Sequence, residues 1–354
     1  MDFGINLATS SDSYKVVKRA EELGFKHAWF YDTQMLNADV FVAMAASAMV
    51  TTKIRLGTGV LIPTNRIAPV AASALASMNA LAPGRIDFGI STGYTGRRAM
   101  GLGPVKLADM KEYIRVVQAL LRGETPEWDF EGKRRKIRFL NPEIGAINIK
   151  DEIPLHISAF GPKGRQLTAE LGAHWIFAPA NPQLGSAAVE GMRKAYREAG
   201  RNPEDFHVTA IAGGAVLRDG EAWDSPRMKA QAGPHATIVF HNLVEAEEFG
   251  DIGRPVPPHL KSLLERYTEI YRKYEPADAR YLTNHRGHLM FLRPEEHEVC
   301  TGEMIRAMTF SATKAELVER LRAMDKAGYD TFAINIRHGH PEMLEDWAEV
   351  FATM

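Results

Sequence analysis

The chain has 354 residues, 45% of them hydrophobic and 25% charged, and a formal net charge of −1. That composition supports a full apolar core at a length that one α/β barrel commonly reaches, and it gives no electrostatic reason to expect nucleic acid or an anionic membrane as a partner. Cys300 is the one cysteine, which excludes an intrachain disulfide and a cysteine-based metal site; with no signal-like start and no apolar run near the ~20 residues of a membrane span, a cytoplasmic enzyme acting on a small molecule is expected.

Strand and helix patterns alternate along the chain. Phe3 to Leu7 reads as a strand, followed by a helix from Tyr14 to Leu23 that Gly24 stops. Phe25 to Tyr31 is the second strand and Val40 to Met49 a nearly all-apolar helix, suited to burial inside the molecule or in a dimer interface. Ile54 and Arg85 open the third and fourth strands, with a helix from Ala68 to Leu81 between them and another from Leu107 to Leu121 after them. Residues 125 to 150 interrupt the rhythm with two short strands around a basic turn. Ile153 to Phe160, His174 to Ala178 and Phe206 to Leu217 supply strands five to seven, separated by helices Lys163 to Leu171 and Ala187 to Ala199. After helix Lys314 to Ala327 the eighth strand, Thr331 to Ile336, precedes a closing helix, Glu342 to Phe351.

Eight strands alternating with helices predict a (β/α)8 TIM barrel, and no Gly-x-Gly-x-x-Gly follows the first strand to favour a Rossmann sheet. Residues 218 to 303 are too long for an ordinary connection. With a helix from Leu260 to Tyr274 and the cluster Pro255, Pro257 and Pro258, they are expected to form a folded insertion that walls or lids a pocket.

Barrel enzymes build their sites at the C-terminal ends of strands. That rule selects Asp32 and Thr33 after strand two, Thr58 and Gly59 after strand three, Thr92, Gly93 and Tyr94 after strand four, and Ser158 to Gly161 after strand five. Each of the two Thr-Gly ends lets the backbone approach a flat ligand, because glycine carries no Cβ. His27, Asp87 and His156 fall lower in their strands and read as hydrogen-bonded core. In Ser158-Ala-Phe-Gly-Pro-Lys-Gly-Arg165 the glycine and proline set a helix start whose free N–H groups suit an anion, with Lys163 and Arg165 adding charge; the alternative is a solvated helix start with two surface cations.

Taken together, Gly57-Thr-Gly-Val-Leu-Ile-Pro63, Pro83-Gly-Arg-Ile-Asp-Phe-Gly-Ile-Ser-Thr-Gly93, the helix ending Leu-Leu-Arg-Gly-Glu124, Phe130-Glu-Gly-Lys133 and Ser158-Ala-Phe-Gly-Pro-Lys163 resemble the luciferase-like superfamily of flavin- and deazaflavin-dependent barrel enzymes, over about residues 1 to 217 and 304 to 354. The resemblance implies a cis peptide at Gly59-Val60 behind the isoalloxazine ring, beside Thr58. It places Thr92, Gly93 and Tyr94 at the ring edge and ribityl chain, and Ser158, Ala159, Phe160, Gly161, Pro162, Lys163, Gly164 and Arg165 at the phosphate. Asp32 is implied at the pocket mouth, with capping of the next segment as its alternative role, and a homodimer is implied as well.

Relatives that use a deazaflavin for hydride transfer often carry Asp-His after strand two and an acid after the strand-four Thr-Gly, where this chain has Asp32-Thr33 and Tyr94. His174 and Trp175 replace a usual Ala-Asp-Gly pattern and read as packing more than pocket. The first functional expectation is therefore a monooxygenase using O2 and reduced FMN supplied by a separate flavin reductase, in a pocket kept dry by the insertion. His235, His241, Arg286 and His288 of the insertion are candidate substrate contacts, with Asp32, Tyr94, His241 and His288 as the catalytic set. A deazaflavin-dependent reductase or dehydrogenase is the alternative, and a flavin-binding protein without turnover a third reading.

Overall fold

The computed structural model describes residues 1–178, 182–249 and 257–354, with residues 182–185 described by backbone alone. Twelve strands occur among them: β1 (Asp2–Leu7), β2 (His27–Phe30), β3 (Arg55–Thr58), β4 (Ile86–Ile90), β5 (Glu127–Phe130), β6 (Lys133–Lys136), β7 (Leu155–Ser158), β8 (His174–Phe177), β9 (Val208–Ala212), β10 (Val216–Leu217), β11 (Ala312–Thr313) and β12 (Thr331–Ile336). Eight of them close a parallel barrel in the order β1-β12-β9-β8-β7-β4-β3-β2, with β1 joined to β12 from Asp2↔Thr331 to Leu7↔Ile336. The (β/α)8 expectation is thus the observed architecture, and the antiparallel pair β5-β6 forms the excursion read between residues 125 and 150.

Parallel strands covered on both faces read as continuous apolar runs, and β12 is buried at all its positions. Phe332, Ile334 and Ile336 face the surrounding helices, whereas Ala333 packs in the barrel interior with Trp29 and Ile176. On the same inner face Asn335 Nδ2 donates to the Asn6 carbonyl at 3.2 Å and to Tyr31 Oη at 2.8 Å.

At the opposite end of the barrel Asp87 accepts from Arg55 Nε at 2.9 Å and Nη2 at 2.7 Å, with His156 Nε2 at 3.4 Å. Burial works to raise the Asp87 carboxyl, but His156 and Arg55 outweigh it and hold the group well below the usual carboxylate range. His27, Asp87 and His156 are therefore structural. So are Trp175, whose Nε1 donates to the Ala159 carbonyl at 2.8 Å, and His174, whose Nδ1 accepts from the His207 N–H at 3.1 Å.

Two local readings are corrected. The strand expected from Phe206 to Leu217 is two strands, because Gly213-Gly214 turns the chain away from the barrel: a Cβ on Gly214 would lie 2.7 Å from the Phe310 carbonyl carbon, and β10 pairs with β11 instead. The insertion holds a helix from Pro226 to Val244 that its internal Gly233-Pro234 disguises, since proline normally ends a helix. Ser225 caps that helix at the Met228 N–H, and its Met228, Ala232, Ala236 and Phe240 share a second apolar cluster with Tyr267, Val299, Met304 and Ile305. The cluster also takes in the helix Gly302–Met308, beyond residue 303. The expected helix near residue 260 spans Lys261–Arg272; Pro255 lies outside the described residues.

Candidate active site

The ends of β2, β3, β4 and β7 and residues 288–289 of the insertion bound an open cleft. Its floor contains the Gly59–Val60 peptide, which is cis. Both Thr-Gly glycines are sterically required: a Cβ on Gly59 would lie 2.7 Å from Trp29 Cβ, and one on Gly93, at φ 79°, would lie 2.5 Å from Ile62 Cγ2. Val60, Ile62, Leu36 and Phe160 give the cleft an apolar surface with polar residues at its edges, Ser91 and Ser158 among them. Apolar walls with two glycines that admit no Cβ and a few polar groups fit a heteroaromatic ring.

Of the residues selected from sequence, Asp32, Thr33, Gly59, Val60, Gly93, Tyr94, Ser158, Phe160 and His288 line this cleft. Thr58 does not, because its fully buried Oγ1 donates to the Gly89 carbonyl at 2.6 Å and ties β3 to β4. Thr92 is used through its carbonyl, which accepts from the Val105 N–H at 2.8 Å. Asp32 is 3% exposed, and both of its oxygens are engaged, one by the Ile62 N–H at 3.1 Å and one by Arg66 Nη1 at 2.9 Å. Its carboxylate organises the segment after β3, not the one that follows Asp32 itself.

Tyr94 sits under the Arg98 guanidinium, 4.1 Å from its ring centre. Ala159 is buried behind the wall. Gly161 is the extended N-cap of the helix Pro162–Leu171, with Pro162 in its first turn, Lys163 exposed, and Gly164 and Arg165 half-buried, so this helix start adjoins Phe160 outside the cleft wall. Arg286 is exposed, and it is its carbonyl, accepting from Arg293 Nη1 at 2.9 Å, that is used.

The insertion brings together what the strand ends lack. His288 reaches Thr95 Oγ1 through Nε2 at 3.3 Å and His241 Nδ1 through Nδ1 at 2.9 Å, and His241 Nε2 meets Glu296 Oε1. Arg293 closes the chain, its Nη2 at 2.7 Å from Glu296 Oε1 and its backbone N–H at 2.8 Å from Oε2. Burial pushes His241 and His288 down, His288 strongly, so both are neutral at rest. Burial opposes the charge on Glu296, but His241 and Arg293 hold it below the usual carboxylate range. A carboxylate only accepts, so His241 donates through Nε2, its Nδ1 accepts from His288, and His288 Nε2 is left as the acceptor beside the cleft. The chain therefore runs from an acceptor nitrogen at the cleft to a buried charge.

Thr95, Glu296 and Arg293 were not singled out from sequence. The signal available was the dense run His285-Arg-Gly-His288 followed by Arg293 and Glu295-Glu296, which cannot all be surface in a segment with its own apolar cluster. A second buried pair lies behind the first: His285 Nε2 is 2.9 Å from Glu245 Oε2, which Arg98 Nη1 approaches at 3.5 Å.

Residues 9–254 match the model of the luciferase-like monooxygenase family. The chain belongs to that family. It is similar to a 5,10-methylenetetrahydromethanopterin reductase of Archaeoglobus fulgidus, 27% identical over 93% of this chain and 91% of the relative. The reductase of the same name from Methanolobus tindarius is 31% identical over 62% and 67%. Among solved structures, the coenzyme F420-dependent tetrahydromethanopterin reductase from Methanopyrus kandleri superposes with a TM-score of 0.69 at 20% identity, covering 98% of this chain and 97% of that one, a likeness of fold. The luciferase-like resemblance and the barrel fold of the sequence reading are thereby established. No described helix is long and apolar enough to cross a membrane.

Proposed function

We propose that the protein is an oxidoreductase that holds a deazaflavin coenzyme of the F420 type in the cleft and exchanges a hydride with a small organic substrate. The observation that carries this reading is the His288–His241–Glu296 chain opening on the cleft. Hydride transfer to or from a carbon–oxygen or carbon–nitrogen bond moves a proton as well, and a neutral imidazole backed by a second imidazole and a carboxylate is suited to take or return it. The reduced-FMN monooxygenase, with its O2 and separate flavin reductase, rests on Tyr94 standing where deazaflavin-dependent relatives carry an acid. His288 supplies that acid–base group from another part of the chain, and similarity to reductases supports the same choice.

When bound, a deazaflavin supplies the carbon centre that gives or takes the hydride. In this reading the Gly59–Val60 segment, Gly93 and Tyr94 hold the ring, and the start of the helix Pro162–Leu171 with Lys163 and Arg165 faces the coenzyme's phosphate. His288 Nε2, aligned by His241 and Glu296, accepts the substrate's proton, with Thr95 as its partner when no substrate is present. The insertion acts as the lid that keeps water from the reacting carbon. The exposed Val42, Met49, Val50 and Val70 form the contact of a homodimer, which a Val42→Asp variant would convert to half the mass by light scattering. Titration of the purified protein with F420 and, separately, FMN tests the assignment: F420 is expected to bind, and oxygen uptake with reduced FMN is expected not to rise with any substrate that binds.

A further inference from the structure

Arg337 is the first residue past β12 and is 1% exposed. Along β12 the inner-face residues are Ala333, packed on Trp29, and Asn335, bonded to Asn6 and Tyr31. Arg337 is two residues further on, so it leaves the same inner face at the barrel mouth, next to Tyr31, which lines the cleft. Its Nε donates to the Gln231 carbonyl at 3.1 Å, on the helix Pro226–Val244. Neither Nη1 nor Nη2 has an acceptor among the described residues.

The contrast with the other fully buried arginines of the described chain is informative. Arg98 lies 3.5 Å from the Glu245 carboxylate and Arg293 lies 2.7 Å from that of Glu296. Arg337 has no such partner: burial pulls its guanidinium down to about 10, and the one group acting the other way is the Tyr31 phenol. A buried cation without a counter-charge destabilises the fold, and a guanidinium fork with both Nη groups uncommitted matches the two oxygens of a carboxylate or phosphate. Neighbouring Tyr31 and Asn335 are polar and uncharged, so nothing there competes for the charge.

We propose that Arg337 is an oxyanion-binding residue at the barrel mouth, taking a carboxylate or phosphate group through Nη1 and Nη2, and that the substrate of the cleft therefore carries such a group. The word substrate rests on the hydride-transfer reading; the anion site does not. On the hydride-transfer reading the ends of β3 and β4 would hold the coenzyme ring and the β12 side of the mouth would hold the anionic end of the substrate.

The test uses the full chain without coenzyme, in sodium chloride at fixed ionic strength, titrated with sodium phosphate and separately with sodium acetate while thermal unfolding is followed. The wild type is expected to show a saturable rise in unfolding temperature with at least one of the two, and which one responds distinguishes a phosphate ester from a carboxylate. Arg337→Met is expected to weaken the response at least ~5-fold, any remainder belonging to the helix start at Lys163 and Arg165, and to unfold no lower than the wild type in chloride alone, because it removes an uncompensated buried charge; Arg337→Lys, a point charge without the fork, is expected to respond more weakly than the wild type as well. No response of the wild type beyond chloride, or an undiminished response in Arg337→Met, overturns the site, and the first of these needs no variant to fold. F420 binding on the same samples separates the two ideas: an intact anion response without F420 binding sinks only the hydride reading, and normal F420 binding without an anion response sinks only Arg337.

Discussion

Glu296→Gln removes one negative charge from the buried end of the chain that begins at the cleft and leaves the volume unchanged. The carboxylate accepts from His241 Nε2, from Arg293 Nη2 at 2.7 Å and from the Arg293 N–H at 2.8 Å. Arg293 keeps Glu295 at 2.9 Å and the carbonyls of Thr283 and Asn284, so it is not left bare. Breaking a buried ion pair outright costs about 3–5 kcal/mol, and with these remaining partners we expect about 2 kcal/mol, read from urea unfolding. The catalytic effect is separate. An amide donates as well as accepts, so the direction of hydrogen bonding through His241 is no longer fixed, and His288 Nε2 is an acceptor for only part of the population. General acid–base catalysis is worth about 10²–10⁴-fold, and a loss of ~10²-fold in kcat for hydride exchange is expected with F420 affinity within ~3-fold of wild type. The pH profile adds a readout that a scaffold role would not move. Glu296 favours protonation of His241, so without it the acid limb of kcat shifts to lower pH. A variant that loses stability but keeps kcat within ~3-fold and the same acid limb would refute the relay.

Three further outcomes follow from named contacts. His241 and His288 are pushed down by burial, so the unfolded chain, with histidine near 6.5, binds more protons below that pH; their contribution is complete above about pH 6.5 and is lost on acidification at up to ~1.4 kcal/mol per pH unit each. Unfolding of His288→Gln at pH 5.5 and 7.5 is expected to show a shallower loss than wild type, and an equal slope would contradict the burial argument. Gly59→Ala brings a Cβ to 2.7 Å from Trp29 Cβ, which should cost about 1–3 kcal/mol and at least ~10-fold in F420 affinity by fluorescence titration. Thr58→Val removes the 2.6 Å donor to the Gly89 carbonyl, which keeps the Leu61 N–H at 2.8 Å, a cost of about 0.5–1.5 kcal/mol, yet should leave F420 affinity unchanged because the hydroxyl faces β4.

The barrel was legible because its strands are short apolar runs separated by helices with clear stops, and the two Thr-Gly ends were legible because only glycine fits there. What misled the reading is equally physical. Gly213-Gly214 lies inside an unbroken apolar pattern, so the departure of the chain from the barrel is invisible without the Phe310 segment it packs against. Gly233-Pro234 disguised a helix whose apolar face is satisfied by residues some 60 or more positions later, such as Val299 and Met304. Asp32 lines the cleft, but its partner Arg66 is 34 residues away, and sequence pattern does not show that both of its oxygens are used. Arg337 obeys the same strand-end rule as Asp32, but the missing acceptor that sets it apart is visible only in the fold. His241 and His288 are separate candidates in the sequence; the packing that sets His288 on His241 and His241 on Glu296 is a property of the insertion's tertiary structure.

Equilibrium binding of F420 and FMN to the same purified protein, followed by anaerobic hydride exchange with the coenzyme that binds, tests the central claim most directly. The account predicts saturable F420 binding with FMN at least ~10-fold weaker, and F420 redox change without oxygen that falls ~10²-fold in His288→Gln. Tight FMN binding with substrate-stimulated oxygen uptake, and no affinity for F420, would contradict it.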